Sequence, residues 1–376
     1  MRHRSTRRRW WALAGLLGAT SLLSACGPEN DQNSLRPAGP AADKIQDLFV
    51  PVVVVATVIG VFVFVVLVLA VLRFRQRPGR DDAPRQVHGN TALEIGWTLV
   101  PALILAALAI PTVATVFDLA EDPGSDALEV KVVGKQWWWE FQYPEFGIIT
   151  STEMHIPAGR PVKLDITAED VIHSFWIPSL AGKKDAVPGR NHDLVIEADE
   201  PGVYLGQCAE YCGLSHANMR MRVVAQTEGE FEAWVAGQRE RRAPLLDENG
   251  EPAGEVEALI TQVYGCTNCH IFDDPRLTAY GPNLTHLGSR TTIAGGTLAL
   301  RGEDGEIDRD LLRRWILDAP SFIPMESEDC RQPLGPDVTC VGMPSFVEDT
   351  PAGQQAMTEA DAEAIVDYLL SDPTSR

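Results

Sequence analysis

Two groups of sulfur and imidazole side chains carry the chemistry open to this sequence. In Cys208-Ala209-Glu210-Tyr211-Cys212-Gly213-Leu214-Ser215-His216-Ala217-Asn218-Met219, two thiols, an imidazole and a thioether fall within twelve positions, and His173 lies upstream in Val171-Ile172-His173-Ser174. Soft sulfur combined with imidazole selects copper over hard cations. Two other readings stay open. Positions 208, 212, 216 and 219 would share one face of a helix, and Cys208 and Cys212 could pair as a disulfide. The helix is opposed by Pro201-Gly202 and Gly213 and leaves His173 without a role. The second group is Cys266-Thr267-Asn268-Cys269-His270. Two thiols three apart add to the two vinyl groups of one haem, and the adjacent imidazole then reaches the iron, which is the c-type attachment pattern. A zinc half-site would need a second ligand pair and a redox dithiol a thioredoxin-like unit, and neither is visible.

Gly342-Met343-Pro344, just before a helical pattern over 359–370, offers Met343 as the second axial ligand. Met325, after Pro324, is its rival. A Met/His pair raises haem potential. Between the penultimate helical stretch, 311–317, and Met343 lies an insert with Cys330 and Cys340. In an exported chain such a pair forms a disulfide closing the loop.

These groups need a chain that reaches an oxidising compartment. Residues 1–25 open with five arginines, continue as an apolar run and end in Leu23-Ser24-Ala25 before Cys26. That is the pattern of a secretory signal. Residues 26–48, rich in Pro, Asn, Ser and Gly, read as a flexible tether. Residues 49–72 and 95–117 lack charge and are long enough to cross a ~30 Å hydrocarbon core as helices. Five arginines against two aspartates in the 73–94 loop place it in the cytoplasm by the positive-inside rule. The N-terminus and everything beyond the second span are then external to a bacterial cell membrane. Short β-rich runs at 128–133, 162–167, 193–196 and 219–224, divided by Pro and Gly, predict a sandwich or barrel over 118–238. A linker over 239–254 leads to a helical domain over 255–372.

His88-Gly89-Asn90-Thr91 with Leu93-Glu94-Ile95-Gly96-Trp97, the donor set at 173–219, and Gly134-Lys135-Gln136-Trp137-Trp138-Trp139 resemble subunit II of haem-copper oxidases. The resemblance, with the fused haem segment, is to the caa3 type of cytochrome c oxidase. It implies a helical hairpin of two spans, an all-β cupredoxin-like Greek-key barrel and an all-α class I cytochrome c domain. It further implies a dinuclear copper A centre, with Cys208 and Cys212 bridging two copper ions, His173 and His216 capping them, Met219 as a weak ligand and the Glu210 carbonyl as another. The Glu210 carboxylate would help hold magnesium at the contact with subunit I. Trp137 would be the exposed ring where electrons arrive, although aromatic runs in strands also serve as core. Glu94 would mark the cytoplasmic mouth of a proton pathway, or simply the membrane interface. Pro282, in Tyr280-Gly281-Pro282-Asn283-Leu284, would accept a hydrogen bond from His270, and Cys26 would carry a lipid. Asp185 and Arg190 would face subunit I.

The implied activity is electron transfer from an external donor through haem c and copper A to haem a of subunit I, for oxygen reduction coupled to proton pumping. A quinol oxidase subunit II shares the spans but lacks the copper ligands, so Cys208, Cys212 and His216 argue against it. A copper A subunit of a nitric oxide reductase and a free-standing membrane-anchored carrier remain alternatives. The 376 residues carry 52 acidic and 32 basic side chains, a net charge of −20, which disfavours nucleic acid as a partner. Residues 244–376 hold 24 acids against 8 arginines and no lysine. Such a surface suits a basic electron donor such as a soluble cytochrome c, or a saline habitat.

Overall fold

The computed structural model describes residues 32–75, 88–302, 304–325, 342–349 and 355–371. Cys26, Cys330, Cys340, the segment 1–25 and residues 76–87 of the arginine-rich loop lie outside the described residues.

Helix α1 (Pro40–Phe74) starts with proline in its first turn, where the fixed φ is already helical. Helix α2 (Thr91–Asp118) starts at Asn90, whose side chain accepts from the Leu93 N–H at 3.3 Å. Glu94 folds back to accept from the Asn90 N–H at 3.2 Å, satisfying another free donor at the helix start. Apart from Ala42, neither helix buries a residue. Two such apolar cylinders are tenable only in lipid, and they anchor the chain in a membrane. At about 50 Å, α1 is longer than a bilayer core. Its first turns lie in the stretch read as tether, which is therefore helical from Pro40 onward. Ala38, just before it, pairs by backbone hydrogen bonds with Ser179 and Asp199. Lys44 and Asp118 join the two helices at 2.8 Å.

The β domain has two five-stranded sheets. One runs β3 (Ile148–Ser151), β2 (Trp138–Tyr143), β1 (Leu128–Lys135), β5 (Val162–Ala168) and β8 (His192–Ile196). The other runs β4 (Glu153–Pro157), β10 (Arg220–Gln226), β9 (Gly202–Cys208), β6 (His173–Trp176) and β7 (Lys184–Ala186). Along β5 every second side chain is buried, as a strand with one face on the core requires. The β1–β5 and β4–β10 pairs are parallel, because the chain crosses between sheets there instead of turning back as a hairpin. Trp139 packs edge-on against Phe175 at 5.4 Å in the core. A helix, α3 (Glu228–Gln238), closes the domain and stacks Trp234 on His155 at 4.4 Å. His155 is thus a half-buried packing residue, and loss of solvent lowers its pKa.

The segment 239–254 is pinned. Arg242 donates to the carbonyls of Tyr368 and Leu369 and lies 4.4 Å over the Tyr368 ring. It thereby caps the last helix, where free carbonyls favour a cation. The C-terminal part packs α4 (Glu255–Ala258), which continues as a π turn over Leu259–Val263, with α5 (Arg309–Asp318) and α6 (Glu359–Leu370). Ile260, Leu312, Ile316, Ile365 and Val366 form its core. It also contains a two-stranded ribbon, β11 (Thr292–Ile293) with β12 (Leu298–Ala299). Gly295 and Gly296, at φ +63° and +81°, supply its turn.

Candidate functional site

His173 enters from β6, Cys208 ends β9, and Cys212, His216 and Met219 follow on the loop that returns to β10. This loop is not one helix. Only a single turn, His216–Asn218, is helical, and Gly213 (φ +111°) breaks the path before it. Ladder bonds at its base, Cys208 N–H to the Met219 carbonyl and Ala209 N–H to the Ser174 carbonyl, both at 2.9 Å, bring the distant His173 against the loop. Cys208 Sγ lies 3.8 Å from Cys212 Sγ and 3.9 Å from His173 Nδ1. Cys212 Sγ lies 3.5 Å from His216 Nδ1 and 3.8 Å from the Met219 sulfur. The Glu210 carbonyl is 3.2 Å from Cys208 Sγ. Both cysteines are free thiols, and with His173 they form a buried group able to hold a metal ion.

The hydrogen bond shared by the two sulfurs holds the Cys208 thiol down at about 4 and pushes the Cys212 thiol far up. Metal binding takes the thiolate form, which this shared hydrogen bond favours at Cys208. Burial opposes a charge on His173, but the Asp170 carboxylate at 2.8 Å from Nε2, helped by Cys208, overcomes it and raises the pKa. Asp170 therefore fixes the ring so that Nδ1 faces the sulfurs. It also accepts from the Gln136 and Val171 N–H groups, both at 2.6 Å. The sequence reading missed it, although an acid three residues before a ligand histidine is a usable signal. Met221 is buried against Gly206, apart from the donors. Glu210 is exposed, and its carboxylate accepts from the Tyr211 N–H at 3.1 Å.

Trp137 is not exposed. Only 9% of it is accessible, with all three tryptophans of the run buried. The C-terminal part covers it, which the local aromatic pattern could not show. Its indole N–H donates to the Cys212 carbonyl at 3.0 Å, and the Gln136 side chain donates to the same oxygen at 2.6 Å.

On its other side Trp137 lines a large, mostly apolar cavity shared with Cys266, Cys269, His270, Met325 and Met343. His270 Nδ1 donates to the Pro282 carbonyl at 2.7 Å, as expected, which frees Nε2 to act as a ligand. Gly281 is required beside it, since a Cβ there would come within 2.7 Å of the His270 ring. The Met325 sulfur accepts from the Met343 N–H at 3.1 Å. Arg290 is buried in the same wall, its Nε has no partner, and burial lowers its pKa to about 10. A buried cation facing an apolar cavity fits a ligand with carboxylates, so the residues present suit a covalently held haem. No local motif flags Arg290. Trp315 also lines the cavity.

A membrane hairpin carrying a cupredoxin-like sandwich with a buried Cys/His cluster defines the class of membrane-anchored copper electron-transfer subunits. Residues 29–115 match the model for the cytochrome c oxidase subunit II transmembrane domain, and residues 147–227 that for its periplasmic domain. The chain is 35% identical over 357 residues to cytochrome c oxidase subunit 2 of Alkalihalophilus pseudofirmus, covering 94% of each. It is 35% identical over 334 residues to that of Bacillus subtilis, covering 84% of this chain and 90% of the relative. A quinol oxidase subunit 2 of Bacillus cereus is 36% identical over 248 residues, covering 65% of this chain and 85% of the relative. The chain belongs to the cytochrome c oxidase subunit II family, and its periplasmic-domain match implies a copper A site.

Proposed function

We propose that this chain is the electron-accepting subunit of a caa3-type cytochrome c oxidase, with copper A held by His173, Cys208, Cys212, His216 and Met219 and by the Glu210 carbonyl. Cys266 and Cys269 hold haem c covalently, with His270 and Met343 as its axial ligands and Met325 as the alternative. When bound, the two centres supply one-electron transfer from an external donor toward subunit I. The chain's own residues position them. The cysteine loop and Asp170 fix the copper donors, and Pro282 orients His270. Trp137 spans the two sites, touching the copper loop with its N–H and the haem cavity with its ring. That bridging contact is the observation that carries the reading.

In this reading subunit I is the membrane partner, a basic protein such as a soluble cytochrome c is the donor, and both cofactor domains lie outside the cell membrane. Glu210 helps hold magnesium, Cys26 carries a lipid, and Cys330–Cys340 is a disulfide. In this reading the functional units keep the boundaries read from the sequence, with the tether ending before Pro40. The test is an optical and electron-spin-resonance spectrum of the purified complex. A mixed-valence dicopper signal together with a low-spin Met/His haem c is expected. Absence of either overturns the corresponding assignment.

A further inference from the structure

The cavity around Cys266, Cys269 and His270 is not closed by the C-terminal residues alone, because Trp137, Ser151 and Thr152 of the β domain form part of its wall. Buried carboxylates hold that wall in place. Glu153, 1% exposed on β4, accepts from the Thr291 N–H at 3.0 Å and from the Thr291 and Thr292 hydroxyls at 2.6 and 2.7 Å. Glu140, 1% exposed on β2, accepts from the Thr278 hydroxyl at 2.7 Å. Its ion-pair partner Lys135 donates to the Ala279 carbonyl at 2.9 Å. Backbone bonds add to these, from Ile149 N–H to the Pro275 carbonyl at 2.7 Å and from Arg220 N–H to the Gly295 carbonyl at 2.8 Å. Gly295 sits so close that a Cβ would come within 2.7 Å of the Trp137 carbonyl.

Two polar atoms in this wall lack a partner, Ser151 Oγ from the β domain and Arg290 Nε from the C-terminal domain. A buried donor left unsatisfied is costly, and these two come from opposite domains. Haem carries two carboxylates, which are the acceptors such a pair suits.

Resting on the haem reading above, we propose that the haem site is composite: the β domain supplies one wall, Ser151 donates to a haem carboxylate from it, and Glu140 and Glu153 are positioning residues that keep it closed. The C-terminal domain is then a fixed seat and not a swinging carrier.

The test uses the full chain in its oxidase complex, with Glu153→Ala, Thr292→Val, Gly295→Ala and Ser151→Ala. A pyridine haemochrome assay reports covalent haem, and the copper spectrum reports an intact β domain. The first three variants are expected to change the Soret circular dichroism and to speed haem reduction by ascorbate. For Glu153→Ala the increase is roughly tenfold, the factor implied by losing a charge-assisted hydrogen bond. Ser151→Ala is expected to move the pH dependence of the haem potential upward, since the carboxylate loses a donor. Haem present with these readouts unchanged overturns the proposal. So does an effect confined to Glu153→Ala, which would mark simple destabilisation. A wild-type chain without covalent haem instead overturns the haem reading itself.

Discussion

The Trp137 indole N–H donates to the Cys212 carbonyl at 3.0 Å while the same ring lines the cavity that holds His270. One side chain thus touches both candidate centres. Trp137→Phe keeps an aromatic ring there but removes the N–H, and Gln136 still holds the carbonyl at 2.6 Å. The copper spectrum should therefore persist while haem-to-copper electron transfer, followed after flash reduction, slows by up to about tenfold. An unchanged rate would remove Trp137 from the path.

Asp170 lies 2.8 Å from His173 Nε2 and sets which ring nitrogen faces Cys208. Asp170→Asn keeps the shape but lets the ring adopt the other tautomer. Losing such a partner lowers metal affinity by about 10–100-fold. Copper content after dialysis against a chelator should fall accordingly, with the haem spectrum unaffected.

Met325 and Met343 line one cavity, and the Met325 sulfur is engaged by the Met343 N–H. With its sulfur so occupied, Met325 is the poorer ligand. Met343→Ala should lower the haem potential by on the order of 100 mV, since the axial ligand dominates it. Met325→Ala should leave the ligation spectrum intact. The reverse pattern would exchange the two assignments.

The cysteine and histidine groups at 173–219 and 266–270 stand out in the sequence as close clusters, and the structure brings His173, Cys208 and Cys212 together; the last helix was legible from its apolar period, with the expected 359–370 matching Glu359–Leu370. What the sequence hid was contact between distant segments. Trp137 reads as exposed until Gly295 is placed against its carbonyl. Arg290 and Ser151 carry no local signal, because their meaning lies in a shared buried wall. The parallel strand pairs were equally hidden, since alternation reports burial of a face and not the direction of a neighbour.

Asp274 is flanked by Arg276 at 2.7 Å and Arg241 at 2.9 Å, and the Arg276 hydrogen bond in particular holds its carboxyl down at about 2. A depressed carboxylate contributes stability that is full above its unfolded value near 3.8 and is lost as pH falls toward 2. Both arginines are more than half exposed, so the contribution is about 1–2 kcal/mol after allowance for solvent screening. Asp274→Asn should lower the unfolding midpoint at pH 6, measured by circular dichroism, and the gap from wild type should close between about pH 4 and 2. A gap that persists at pH 2 would assign the effect to packing.

Lys135 is buried, and its ammonium reaches Glu140 and Glu169 at 3.1 Å, the Ala279 carbonyl at 2.9 Å and the Thr278 hydroxyl at 3.2 Å. Glu140 is buried as well, so removing the lysine alone leaves a buried carboxylate with no cation beside it. Lys135→Met should therefore destabilise the chain by about 3–5 kcal/mol. Replacing both partners removes the stranded charge together with its counter-ion, and apolar substitutes for a buried pair are often tolerated. Lys135→Met with Glu140→Leu should accordingly regain much of the loss, although Thr278 then lacks its acceptor. Chemical denaturation of the double variant and of both single variants, Lys135→Met and Glu140→Leu, decides the point. If the double variant is as unstable as the sum of its single changes, the lysine acts through its packing stem and its cation contact with Trp138 at 5.1 Å, and not through the ion pair.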